Sequence, residues 1–157
     1  MKFVSYKHDN VEKFGIIENN LITDLTGKIG GASNLKELIK IKKIKEAKEY
    51  VVSNPGSIKT EEIEYLPLIP NPGKIICVGL NYSEHVKETG RTVEQNPVIF
   101  LRVPESQTAH KQPIQRPKVS THLDYECEMA VIMKDAGKHI KPENALKHVV
   151  GLSLIHI

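Results

Sequence analysis

Over the first 25 residues the hydrophobic positions come in short runs, 2–8, 13–18 and 21–25, each with polar residues interspersed. Such runs read as strands, and Asn10 and the pair Asn19-Asn20 supply the turn chemistry between them. Gly27, Gly30 and Gly31 break the pattern. Leu35, Leu38, Ile39 and Ile41 then open an apolar face that Ile44 and Ala47 continue at roughly helical spacing, which predicts one amphipathic helix. Asn34 is its candidate N-cap, with Glu37 three residues on as the reciprocal acceptor. Between residues 53 and 72 the prolines at 55, 67, 70 and 72 restrict their own φ and that of the residue before, so an extended connector is expected.

These runs divide the chain near residue 70, into a small N-terminal domain, 1–70, and a second domain, 71–157. The second opens on the run KIICVG, residues 74–79, a buried strand ending in glycine. A polar segment with short helical spacing occupies 81–91, and Pro97 precedes a second apolar run over 98–101. A loop rich in proline and polar residues fills 103–122. A third strand is expected over 123–133, a short helix over 142–148 with Pro142 in its first turn, and a further strand from Val149. The expected class is α+β, mostly β.

Composition narrows the partners. With 157 residues, 39% hydrophobic and 26% charged, the chain has the balance of a folded soluble protein, not of a disordered tail or fibre. It has no Trp, so the core must rest on Ile, Leu and Val. The net charge is +3, and six lysines fall between 36 and 48. Glu37, Glu46 and Glu49 are mixed among them and no aromatic residues alternate with them, so they read as a solvated helix face and no nucleic-acid partner is expected. The longest apolar stretch, 149–157, is far short of the ~20 residues a membrane span requires, and the N-terminus lacks a signal-peptide run. Cys77 and Cys127 lie in apolar runs without CxxC spacing, which predicts two buried, reduced thiols and a cytoplasmic location.

Two groups of residues carry candidate chemistry. In Tyr125-Glu126-Cys127-Glu128-Met129 a strand would place Glu126 and Glu128 on one face, about 6.5 Å apart along the chain. Carboxylates so close repel unless a hard divalent cation lies between them, since Mg²⁺, Mn²⁺ and Ca²⁺ take oxygen ligands. The alternative is a solvated strand face. In the run Asn81 to Glu88, His85 and Glu88 are three apart and meet on one side of a helical turn. A carboxylate there orients an imidazole that removes a proton from water, or else forms a silent surface ion pair. The remaining histidines show no HxH or HExxH spacing, and the chain has neither a GxSxG elbow nor a GxxxxGK[ST] phosphate loop.

The order of these features, KIICVGLNYSEHVKETG, then PVIFLRVPES, then the long loop, then LDYECEMAVIM, resembles the fumarylacetoacetate hydrolase family, in particular bacterial members with a short N-terminal domain. The resemblance implies that residues 71–157 form the first part of a mixed β-roll catalytic domain. It implies divalent-metal-dependent action on 2-oxo or 1,3-diketo acids, by C–C bond hydrolysis, with decarboxylation and isomerisation as alternatives. By position it makes Glu126 and Glu128 metal ligands for Mg²⁺, or Mn²⁺ or Ca²⁺, and makes His85 and Glu88 the dyad that prepares a water. Arg102 stands where the family usually has a Lys, and it suits a substrate carboxylate held in bidentate fashion. A further Asp ligand of the family follows beyond the point this sequence reaches, so a truncated chain is expected, and a catalytically incompetent fragment or binding module is the competing reading. The implied partners are a small 2-oxo acid and, for a full-length chain, a second copy in a homodimer.

Overall fold

The computed structural model describes residues 1–91, 96–123 and 125–156. Its first half is a five-stranded sheet. The strands β1 (Lys2–His8), β2 (Val11–Glu18) and β3 (Leu21–Asp24) form an antiparallel meander, and two-residue edge strands β4 (Ile58–Lys59) and β5 (Glu64–Tyr65) give the order β4-β3-β2-β1-β5. Both hairpin turns use the residues the sequence points to. Asp9 and Asn10 take φ of 50° and 62°, and Asn19 and Asn20 take 50° and 63°. Two successive left-handed residues match the twist of the flanking strands, and Asn tolerates that region better than most side chains.

Both faces of this sheet are covered. Phe14 and Ile16 project on one face into a cluster with Leu25, Leu35, Leu38, Ala47 and Val51. Val4, Tyr6 and Ile22 project on the other, against Ile58, Ile63 and Tyr65. Gly15 lies between them on β2, where a Cβ would come within 2.2 Å of the Thr23 carbonyl oxygen, so no larger residue fits there.

The amphipathic segment forms two helices, not one. Helix α1 (Leu35–Lys40) is capped by Asn34 as expected, its side chain accepting from the Glu37 amide at 3.0 Å, but Glu37 Oε2 returns the bond to the Ser33 amide, at 2.8 Å, one residue before the cap. The chain then turns at Lys42, whose φ is 59°, and resumes as α2 (Ile44–Ser53). The apolar spacing runs through the break because both helices pack on the same cluster. The predicted connector over 53–72 also needs correction. It contributes β4, β5 and a 3₁₀ turn, and only its later part lies extended, tied by the Ser5 hydroxyl to the Leu68 carbonyl at 2.7 Å.

The second half consists of two antiparallel strand pairs. β6 (Ile75–Gly79) pairs with β7 (Val98–Arg102), Cys77 opposite Phe100. β8 (Cys127–Met133) pairs with β9 (Val149–His156), Met129 opposite Leu154. Helix α3 (Ser83–Glu88) follows β6, and helix α4 (Pro142–Ala145) precedes a 3₁₀ turn over Leu146–His148, so the helix expected over 142–148 is α-helical only in its first turn. Within the strands expected over 123–133 and to the end of the chain, Asp124 and Ile157 lie outside the described residues. Ile132 and Val150 pack against the first cluster, and Lys42 Nζ meets Asp135 Oδ1 at 2.9 Å, which joins the β8–β9 pair to the N-terminal sheet.

Candidate active site

Helix α3 owes its position to the residues on either side of it. Six residues are too few to hold a helix by propensity alone. Val86 is its buried residue, 3% exposed, and fixes the helix on the protein. Its C-terminus is closed by a pair of bonds, Arg91 N–H to Val86 O at 3.2 Å and Gly90 N–H to Lys87 O at 3.0 Å. This Schellman closure needs a left-handed residue, and Gly90 supplies it at φ 67°.

With α3 so held, His85 stands between two carboxylates. Its Nδ1 lies 3.9 Å from Glu88 Oε2 and its Nε2 lies 3.4 Å from Glu126 Oε1. Both approaches are longer than ordinary hydrogen bonds. The first is the i, i+3 pair read from the sequence. The second joins residues 41 positions apart and was not legible there. His85 and Glu126 are each a little under half exposed, so the group is open to solvent.

Glu126 immediately precedes β8, and Glu128 is the second residue of the strand. Along β8, Glu128, Ala130 and Ile132 are half-buried, whereas Cys127, Met129, Val131 and Met133 are exposed. The strand therefore turns Glu128 to the half-buried face, beside Ala130 and Ile132, and leaves Met129, Val131 and Met133 on the exposed one, which is not a solvated acidic face. It also corrects the expectation of two buried thiols: Cys127 shares the outward face, and only Cys77 is buried.

Cys77 reports what lies behind this group. Burial pushes its thiol up, the charge of Glu128 adds to that, and the charge of Arg102 opposes it. Arg102 ends β7 opposite Ile75, on the face shared by Cys77 and Phe100. The pairing of β6 with β7 thus puts the guanidinium on the face of the thiol, and the charge of Glu128, on β8, is felt there as well. Arg102 Nε donates to Ser106 Oγ at 3.4 Å. Sequence reading gave Cys77 and Ser106 no part here. Alternation along β6 would have placed Cys77 on the face of Gly79, but not beside Glu128.

The donor set suits a hard cation that keeps part of its water shell. Glu126 and Glu128 offer carboxylate oxygens, and among the described residues no group of three or more His, Cys, Asp or Glu side chains is placed to hold a metal ion. One or two carboxylates with water and substrate completing the sphere is a common arrangement for Mg²⁺. It is not the closed set of a structural zinc site.

Residues 74–156 match the family model for the C-terminal domain of fumarylacetoacetate hydrolase. Over 113 residues the chain is 37% identical to the mitochondrial oxaloacetate tautomerase fahd2 of Xenopus laevis, a match that covers 72% of this chain and 35% of that protein. Its fold superposes on the fumarylacetoacetate hydrolase of Exiguobacterium antarcticum with a TM-score of 0.79 and 30% identity, covering 99% of this chain and 55% of that one. It is similar as well to the maleylpyruvate hydrolase of Sphingobium sp. SYK-6, solved with manganese(II) and pyruvate, with a TM-score of 0.80 at 20% identity, over 99% of this chain and 58% of that one. The chain thus spans about a third of the curated relative and a little over half of the solved ones. Among the described residues no helix is long and apolar enough to cross a membrane. The family match over 74–156, the relatives and the α+β, mostly β architecture agree: the chain belongs to the fumarylacetoacetate hydrolase family.

Proposed function

We propose that residues 71–157 carry the first part of a divalent-metal-dependent site for 2-oxo acids, with Glu126 and Glu128 as metal ligands, His85 as base, Glu88 as its orienting partner and Arg102 on the substrate carboxylate. Residues 1–70 form the domain against which this part is set. The observation that carries the reading is the imidazole of His85 held between Glu88 and Glu126. A neutral imidazole has one N–H, so it donates to only one of two carboxylates. The tautomer with its proton on Nδ1 would donate to Glu88, its orienting partner. Nε2 is then left with a free lone pair, aimed toward the Glu126 side, which is the position of a base acting on whatever occupies that side.

A divalent cation, Mg²⁺ or Mn²⁺, held by Glu126 and Glu128 would supply Lewis acidity toward the oxygens of a 2-oxo acid. Arg102 holds the carboxylate end and His85 moves the proton, from a carbon next to the keto group in tautomerisation or from a water in C–C bond hydrolysis. The Xenopus relative is named for the first chemistry and the Exiguobacterium and Sphingobium proteins for the second. The pairing of manganese with pyruvate in the Sphingobium protein supports a 2-oxo acid as the ligand class. We favour C–C hydrolysis of acylpyruvate-type substrates, because the His85–Glu88 pair is a unit suited to preparing a water. Oxaloacetate tautomerisation is the second reading, supported by the identity to the tautomerase.

The test compares wild type with His85→Gln for cleavage of an acylpyruvate and for ketonisation of enol-oxaloacetate, each with saturating Mn²⁺. Loss of a general base lowers the rate by roughly 10²–10⁴-fold. A loss confined to cleavage supports hydrolysis, and a loss confined to ketonisation supports the tautomerase. Unchanged rates in both assays remove His85 from the mechanism.

A further inference from the structure

The chain between β7 and β8 carries Arg102 at its base and is fastened to the N-terminal sheet. Gln112 Nε2 donates to Glu64 Oε1 at 3.0 Å and to the Tyr65 carbonyl at 3.4 Å, both on edge strand β5. The His110 ring meets the Tyr65 ring edge-on, centroids 4.9 Å apart, and Lys111 Nζ lies 6.0 Å from the same ring centre. Ala109, just before them in the chain, is buried, in a turn closed by Gln112 N–H to Ala109 O at 3.1 Å. Nearer Arg102, Gln107 Nε2 is shared between the carbonyls of Ile69, at 3.3 Å, and Pro104, at 3.2 Å. That bond fixes the 3₁₀ turn Pro104–Ser106, whose Ser106 hydroxyl donates to Val103 O at 2.7 Å and accepts from Arg102 Nε. A run of contacts therefore leads from β5 through residues 104–112 to the guanidinium.

We propose that Gln112 is a positioning residue for the substrate carboxylate: by fastening residues 104–112 to the N-terminal sheet it fixes the direction of Arg102. This rests on the reading of Arg102 as the carboxylate-binding group. A guanidinium on a free stem loses rotamer freedom when it binds, and one already held by a fastened turn loses less, so the fastening raises affinity without touching the ligand. The N-terminal sheet is then part of the binding apparatus and not only a neighbour of it.

Gln112 and Glu64 are both exposed, so substitution leaves the core intact. The experiment measures three quantities in the whole chain: the rate of tryptic cleavage after Lys111, the dissociation constant for pyruvate in saturating Mn²⁺, and the dissociation constant for Mn²⁺ alone. In Gln112→Ala, cleavage accelerates about tenfold, because cleavage follows the population of the opened segment. Pyruvate binding weakens roughly fivefold through the lost preorganisation, and Mn²⁺ binding stays the same. Gln112→Glu sets like charges against Glu64 and behaves as Gln112→Ala does, while the exchange Glu64→Gln with Gln112→Glu restores the bond to residue 64 but not that to the Tyr65 carbonyl, and so recovers part of both cleavage resistance and pyruvate binding. Unchanged cleavage in Gln112→Ala overturns the fastening. Faster cleavage with unchanged pyruvate binding overturns the positioning role, provided Arg102→Ala abolishes binding. Pyruvate binding that survives Arg102→Ala refutes the carboxylate reading of Arg102 itself, and the proposal falls with it.

Discussion

Val86→Ala tests whether the site depends on a single buried contact. Val86 is the residue of α3 that the protein covers, and His85 and Glu88 flank it on the same short helix. The substitution removes two methyl groups, at about 0.8 kcal/mol of transfer free energy each, with a further cavity term because the surroundings relax only in part. The sum is about 2 kcal/mol. A six-residue helix has no reserve of its own, so this loss falls on the local opening of α3 and only weakly on the rest of the fold. By that amount the opened population rises roughly 30-fold. Amide hydrogen exchange reads it directly: Val86, Thr89, Gly90 and Arg91 donate the bonds that hold the turn and its closure, and these four amides exchange faster together. The β1–β2 amides serve as the internal control and keep their protection. If the four amides are unmoved, or the whole protein shifts equally, α3 is not held by Val86 and the argument fails.

Two further outcomes follow from titratable groups. Burial works to raise the carboxyl of Asp24, but hydrogen bonds from Thr26 and the Lys13 ammonium at 3.3 Å outweigh it and leave it below the usual carboxylate value. A depressed folded-state value means stability that is present above the unfolded value near 4 and lost as pH falls through the folded one. Urea midpoints between pH 6 and pH 2 therefore fall more steeply in wild type than in Asp24→Asn, and parallel curves would contradict the pairing. Thiol labelling under native conditions separates the two cysteines: Cys127 is exposed and reacts fast, while Cys77 is buried with its thiol pushed up, and reacts slowly. Equal rates would place Cys77 at the surface.

What the sequence reveals depends on the range over which each feature is determined. The β1–β3 meander and the Asn34 cap were readable because turn and cap chemistry acts within three or four residues. The HxxE pair was readable for the same reason. The break at Lys42 was not, since neither Gly nor Pro marks it and a lysine adopts the left-handed region only because both flanking helices pack on one cluster. Strands β4 and β5 are two residues each and too short to show a period. The contact of His85 with Glu126 is created by tertiary packing, so neither motif contains it. Cys127 misled because an apolar run says that a strand exists and not which of its faces is covered.

The outward side of the β8–β9 pair bears Met129, Val131, Leu152 and Leu154, each between 47% and 74% exposed. Paired ribbons of two strands have little stability by themselves in water. The free energy that keeps this region ordered is accordingly held in good part outside the ribbon, on its other face, where Ile132 and Val150 pack on the first cluster and Asp135 meets Lys42. A substitution that loosens that cluster would therefore unfasten the carboxylate-bearing ribbon as well.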